Sequence, residues 1–409
     1  MSASNDIKSR LARINSQLPR TEPKAPPATA GSERARKLKT ALGGSIVTHD
    51  NGEFLLLRRR HEPDYSHGSR TIRDFFQRDD YRLSHVTINA EPKKLSKQSF
   101  LFFDTETTGL GGAGSLAFLV GMASLVDGAL ETRQYLLPDY ADESAMLSAL
   151  YEEFNDDTII VSYNGRSFDE PLLLDRLRIN RVANSLPYSH HLDLLYPARS
   201  LFKRRIRDCS LGNVEAEVFG HYREDDIPGY LVPGVYFDWA HNDTTDSLAG
   251  VIEHNRQDIV SLALLIAVIT ECHETAGKSL TEPLDVYSLM RREARRERQR
   301  AAKIGLDNEE ELAAVRDTGI DFQRSMVYKR AGEITRAVEL WLALERGRDL
   351  TAQLGRLELA KWYEHKERDF KRALKFSEKG LRFSLNHDRE CEHWQKRCAR
   401  LKRRLGIEV

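Results

Sequence analysis

Phe102–Gly114 reads FFDTETTGLGGAG, and the fold turns on how it is parsed. Its glycines, Gly109, Gly111 and Gly114, spell G-x-G-x-x-G, which after a strand marks a dinucleotide-binding turn. Its acids, Asp104 and Glu106, stand two apart in an apolar strand, so both point to one face. In a dinucleotide fold the strand before the glycines is apolar throughout and the glycines open a helix. Here the strand carries two acids, and SLAFLVGMASLV follows the glycines as a second strand with Gly121 inside it. The glycine run is therefore a turn between strands, and the acids carry the chemistry.

Outward from that strand, a mixed α/β pattern runs from Ser99 to Ala276. LETRQYLLP is a third strand, SAMLSALYEEFND an amphipathic helix and TIIVSYN a buried strand. EPLLLDRLRI is a helix with Pro171 in its first turn. HHLDLLYPAR gives a strand and a helix start. SLAGVIEHNRQDIVSLALLIAVITEC is a long helix whose apolar run, Ile259–Thr270, is too short to span a bilayer. The fold class is α/β, a mixed sheet with flanking helices.

The flanks differ. Residues 1–39 read as a disordered basic arm. Residues 40–98 read as a small β region, with a hairpin at Asn51-Gly52 and a strand in YRLSHVTIN. Residues 277–319, including RREARRERQRAAK, read as a charged helical linker. In 320–409, Tyr328 with Ala337-Val338 matches Tyr363 with Ala373-Leu374 at offsets of 35 and 36. That spacing is close to the tetratricopeptide period of about 34 and predicts a helical repeat.

Lys plus Arg and Asp plus Glu balance at 62 each in the 409 residues, so any electrostatic footprint is local. The four cysteines form no C-x-x-C, which suits a reducing cytosol and excludes a thiolate zinc site. No secretory signal is visible, and a cytoplasmic location is expected.

Four carboxylates in three segments stand out. Asp104 and Glu106 share a strand face; Asp169 ends VSYNGRSFD after a strand; Asp258 falls with Val251, Leu262 and Leu265 on the buried face of the long helix. Singly, each has a plain explanation: Asp169 as a helix N-cap, Asp258 as a partner of Arg256, Asp104 and Glu106 on an edge strand. Together they suit a hard cation such as magnesium or manganese. Asp193 reads as structural, and His190 and His191 face opposite sides of their strand. Lys203, Arg204 and Arg205 in FKRRIR are candidate phosphate contacts. Trp239, Trp341 and Trp362 read as core.

FDTETTG, NGRSFD and HNRQD resemble the three motifs of DEDD-type nucleases with the ribonuclease H-like fold. With HLDLLYPARSLF, DDIPG and YFDW, the chain is similar to the YprB group of predicted ribonuclease H-like exonucleases, which also has a helical-repeat tail. The resemblance covers about 99–275 well and 320–385 loosely. It implies a 3′–5′ exonuclease in which Asp104, Glu106, Asp169 and Asp258 hold two Mg2+ or Mn2+ ions. It implies that Thr107 meets the substrate, DNA or RNA, and that Asn164 and Phe168 position the substrate end or support the loop. The family splits by a histidine five, or a tyrosine four, before the last aspartate. Here His254 stands four before Asp258, in the tyrosine position and one helical turn away, placed either as a general base or as a histidine that supports the ligands or faces the core. Alternatives are a nucleic-acid-binding or scaffold protein that keeps the fold without catalysis, and a structure-specific endonuclease. The helical repeat implies a possible protein partner, and nothing implies a membrane.

Overall fold

The computed structural model describes residues 30–49, 52–87, 93–109, 114–224, 226–387 and 391–407. Most of the expected basic arm, Asn51 of the expected turn and residues 110–113 of the glycine run lie outside the described residues. Eleven strands are described: β1 (Ser45–His49), β2 (Gly52–His61), β3 (Ser66–His67), β4 (Arg70–Thr71), β5 (Asp80–Arg82), β6 (Lys94–Ser96), β7 (Phe100–Thr107), β8 (Ala117–Val126), β9 (Ala129–Leu136), β10 (Ile159–Ser162) and β11 (His190–Asp193). Seven form one sheet in the order β1-β2-β9-β8-β7-β10-β11. From β1 through β2, β9 and β8 to β7 each strand runs antiparallel to the next, whereas β10 is parallel to β7 and β11 to β10.

Alternation along β7 divides the core. Phe100 and Phe102 pack with Val161, Leu192 and the long helix Leu248–Glu274 on one face. Leu101 and Phe103 pack with Met146, Leu147, Leu173 and Trp239 on the other. Every residue from Ile259 to Thr270 is buried, because the sheet lies on one side of this helix and further helices cover the others. Among the described residues no helix is long and apolar enough to cross a membrane, and the four cysteines are free.

Three expectations need correction. The N-terminal β stretch does not stand apart, because β2 pairs with β9 over Leu55–His61 and buries Phe54, Leu55 and Leu56, extending the main sheet. YRLSHVTIN is not one strand: after β5 the chain turns into the short helix Leu83–Val86, whose Ser84 and His85 carbonyls accept hydrogen bonds from Arg296 and Arg292. The charged segment 277–319 is helical as expected but does more than link, since Val286, Leu289, Met290, Ala301, Ile304 and Leu312 join the core beneath the long helix.

Beyond it, Thr318–Ala331 with Ile334–Leu344, and Leu350–His365 with Phe370–Asn386, form two helix hairpins, followed by the helix Glu392–Leu405. The repeated residues Tyr328, Ala337, Tyr363 and Ala373 are all buried in their shared core.

One glycine sets the distance between sheet and long helix. Gly121 lies opposite Asp104 in the β7–β8 ladder. A Cβ there would stand 2.1 Å from Ile259 Cδ1 and 2.2 Å from Asn255 Oδ1, both on the helix. Gly121→Ala therefore forces the helix outward. Overpacking of this kind costs about 1–3 kcal/mol, and we expect a lowered melting temperature in thermal unfolding followed by circular dichroism.

Candidate active site

The site lies at the carboxyl end of β7, where the apolar run FLFF gives way to DTET. Strand alternation carries Asp104 and Glu106 onto the face already set by Phe102, toward the long helix. β7 lies inside the sheet, between β8 and β10, so these acids do not cap an edge. Asp104 Oδ2 accepts a hydrogen bond of 2.8 Å from Asn255 Nδ2 on the helix. Asn255 Oδ1 in turn accepts from Gln134 Nε2 of β9 at 2.9 Å. Gln134 also donates to the Ile252 carbonyl at 2.7 Å, tying three elements to one carboxylate.

Asp169 arrives from the neighbouring parallel strand. After β10 the loop turns through Asn164 (φ 68°), and Asp193 of β11 accepts from the Asn164 and Arg166 amides. Asp193 is thus structural. Asp169 is the first residue of the helix Asp169–Ile179, directly after the N-cap Phe168. Its carboxylate accepts from Thr105 Oγ1 of β7.

The long helix brings the rest. His254 and Asp258 lie one turn apart, with His254 Nε2 at 3.5 Å from Asp258 Oδ2 and 4.0 Å from Glu106 Oε1. Asp258 does not pair with Arg256, which is held by Glu253. Its partner is Arg223 from the loop before the helix Val232–Asn242. Arg223 also makes a two-pronged pair with fully buried Glu215, at 2.7 and 2.6 Å. Asp226, on the same loop, accepts from His254 Nδ1 at 2.6 Å. The loop is seated by Ile227, which lies against Gly250 where a Cβ would come within 2.6 Å.

The electrostatics follow from crowding. Among the described residues, no lysine or arginine pairs with Asp104, Glu106 or Asp169. Burial, then the charges of Asp258, Asp169 and Glu106, push the Asp104 carboxyl well above its usual range. Burial likewise raises Glu106 to about 8, with His254 opposing and Asp258 and Asp169 adding to the rise. Asp169 is raised by burial against the Thr105 hydrogen bond. Burial lowers His254, but Asp258, Asp226 and Glu106 outweigh it and hold the imidazole above its ordinary value. Such a site is short of positive charge, and oxygen donors of this kind fit a hard divalent cation. Glu106, His254 and Asp258 already place one donor atom each within 4.8 Å of one another. A second group, His67, Glu215 and His221, is equally close but already engaged. Arg223 takes Glu215, Ser261 takes His67 Nε2 at 2.7 Å, and Gln257 takes His221 Nε2 at 3.2 Å.

The outlying expectations divide. Thr107 Oγ1 donates to the Gly109 carbonyl at 2.6 Å and shapes the turn beside the cleft. Phe168, next to Asp169, is 57% exposed. Lys203 and Arg204 are exposed in a groove farther along the sheet. Arg205 is not a free cation: Asp285 and Glu217 neutralise it at 2.8 and 2.9 Å. Arg223, Asp226, Asn255 and Gln134 escaped sequence reading. The first two sit in a loop with no periodicity, and the last two resemble any polar residue until the sheet and helix meet.

Residues 101–270 match the RNase_H superfamily, a superfamily made up generally of nucleases. Over 333 residues the chain is 35% identical to a protein of Bacillus subtilis (strain 168) named "Uncharacterized protein YprB", with 79% of this chain and 78% of that protein covered. The chain belongs to the family of that protein, with a ribonuclease H superfamily domain at its centre.

Removing Arg223 would strand buried Glu215. Breaking a buried ion pair from one side costs about 3–5 kcal/mol, whereas replacing both partners by apolar groups is close to neutral. Arg223→Met should therefore destabilise strongly, and adding Glu215→Leu should recover much of the loss, measured by urea unfolding.

Proposed function

We propose that the chain is a divalent-metal-dependent nuclease that removes nucleotides from the 3′ end of a nucleic-acid strand. One observation carries the chemistry: four carboxylates from three separated segments converge, and among the described residues no lysine or arginine pairs with three of them. The 3′–5′ polarity rests on the likeness of FDTETTG, NGRSFD and HNRQD to DEDD exonuclease motifs. Asp104, Glu106, Asp169 and Asp258 would hold two Mg2+ or Mn2+ ions, which when bound supply Lewis-acid activation and charge neutralisation for phosphodiester hydrolysis.

The chain's own groups do the rest. His254 Nδ1 faces Asp226 Oδ1 at 2.6 Å, which accepts, and Arg223 Nη1 at 3.2 Å, which can only donate; the shorter contact favours the proton on Nδ1, with Nε2 turned toward Glu106 and Asp258. Nε2 takes the proton of the attacking water, and Asp226 is a positioning residue that keeps the ring in that tautomer. The carboxylates of Glu106 and Asp258 raise the His254 imidazole, and with a cation bound to them they would raise it less, which would favour the neutral base. Exposed Phe168 offers a face to the terminal base, and Thr107 and Asn164 hold the loops on either side of the entrance. We further read the C-terminal hairpins as tetratricopeptide-type repeats that present a surface to a protein partner.

With a 5′-labelled single strand in Mg2+ or Mn2+, the native chain should yield a ladder shortening from the 3′ end. Asp104→Asn or Asp258→Asn should abolish hydrolysis while circular dichroism stays native. Native rates in either variant, or internal cuts from the outset, contradict the reading. His254→Ala should lower turnover by roughly 10²–10⁴-fold, and His254→Tyr should retain far more, because a tyrosine here sits one turn before Asp258 as in the family's other branch. Equal turnover of native and alanine chains would remove His254 from the chemistry. Divalent ion should also stabilise the fold, by about 2.7 kcal/mol at a hundred times its dissociation constant, and a melting curve should show this shift in the native chain and its loss in Asp104→Asn.

A further inference from the structure

A groove of about 460 Å³ lies between the helix Leu195–Phe202 and the helix Pro283–Glu293 with the turn that follows it. Six of its nine lining residues are cations: Arg199, Lys203, Arg204, Arg291, Arg292 and Arg295. The other three are Tyr196, Ser200 and Ser288, so no carboxylate lines it. Among the described residues none of the six forms an ion pair, in a chain whose charges balance overall. Neighbouring basic residues differ: Arg205 and Arg300 are paired with acids.

The groove is built rather than incidental. Arg204 and Arg291 both stack on Tyr287, at 5.1 and 5.9 Å from the ring centre. Arg292 is only 4% exposed. Its Nη2 donates to the His85 carbonyl at 2.8 Å, while its Nε and Nη1 are buried with no partner. Burial lowers its pKa to about 10, so it stays charged at neutral pH. A buried guanidinium with two unanswered donors, among five more cations, lacks an anion.

Its position says which anion. The helix Leu195–Phe202 starts two residues after Asp193, whose carboxylate holds the loop leading to Asp169. The groove's upper end is therefore at the same end of the sheet as the acidic cleft. Two exposed aromatic side chains belong to the segments that start there: Phe168, 57% exposed, precedes Asp169, and Tyr196, 53% exposed, is in the first turn of the helix Leu195–Phe202. Cations that follow a backbone, with aromatic faces for unpaired bases, make a single-strand site.

We propose that this groove binds the phosphate backbone of single-stranded nucleic acid, the same strand whose 3′ end enters the acidic cleft. The second clause rests on the nuclease reading; the first stands without it. Guanidinium forks suit phosphate oxygens and carry no sequence information.

The test reads binding of a fluorescent 20-nucleotide oligothymidylate to the full chain carrying Asp104→Asn, with and without Arg199→Glu plus Arg295→Glu. Both arginines are exposed on the groove's rim, so the fold should survive, as a melting curve would verify. The double reversal should weaken binding at least tenfold near 0.1 M salt. It should also reduce the slope of log K against log salt by about 1.4, from about 0.7 for each of two lost phosphate contacts. Arg346→Glu plus Arg348→Glu, an equal charge change on the exposed turn after Leu344, should leave both quantities as they were. Unchanged affinity and slope in the groove variant would overturn the proposal. So would an equal loss in the Arg346/Arg348 control, or poly-glutamate binding as tightly as the strand. Hydrolysis by the native chain is measured separately: binding that depends on the groove, with no hydrolysis in divalent ion, keeps the groove and sinks the nuclease reading alone.

Discussion

Carboxylates of like charge held close together are the constraint around which this molecule is arranged. Asp104 and Glu106 cannot move apart, because strand alternation and the apolar run behind them fix their direction. Asp169 is held by Thr105, and Asp258 is carried by a helix buried almost all round. Among the described residues the arginine that reaches them, Arg223, is shared with buried Glu215, and it pairs with Asp258 alone of the four. Stability by itself does not favour such a concentration of charge. That concentration is the physical argument for a cation, and the superfamily that residues 101–270 match, generally nucleases, is what suggests a hydrolytic role.

The scaffold that enforces this geometry extends past the nuclease-like core. Gly121 lets the long helix come within reach of β7, and Gln134 and Asn255 then orient Asp104 from behind. The far side of that helix is covered by Val286, Leu289, Met290 and Ile304, from a segment whose composition suggests a linker. Its apolar residues face inward with Arg292, while Arg291 and Arg295 are left to meet Arg199, Lys203 and Arg204. One helix thus closes the core on one side and forms a basic groove on the other.

Much of this was legible in sequence. FLFFDTET, TIIVSYN and the long apolar helix announce themselves by periodicity, and the three acidic segments stand out because acids rarely end apolar strands. Repetition of Tyr328 and Ala337 at Tyr363 and Ala373 foretold the helix hairpins. What escaped depends on contacts between distant segments. β2 joins the main sheet through β9, some 75 residues later, which no local pattern encodes. YRLSHVTIN has strand propensity, yet two guanidiniums from residues 292 and 296 hold the carbonyls of the turn that interrupts it. Arg223 and Asp226 are ordinary loop residues until the loop folds over His254. RREARRERQR looked like solvated charge because its alternation of buried and exposed faces is masked by arginine itself, and Arg292 is buried despite it.

The most direct test of the central claim is to locate the cation. Crystals of the full chain grown with Mn2+ and measured at the manganese absorption edge should give anomalous peaks between Asp104, Glu106, Asp169 and Asp258, lost in Asp104→Asn. An empty cleft at saturating Mn2+, or peaks only at His67, Glu215 and His221, would contradict the account.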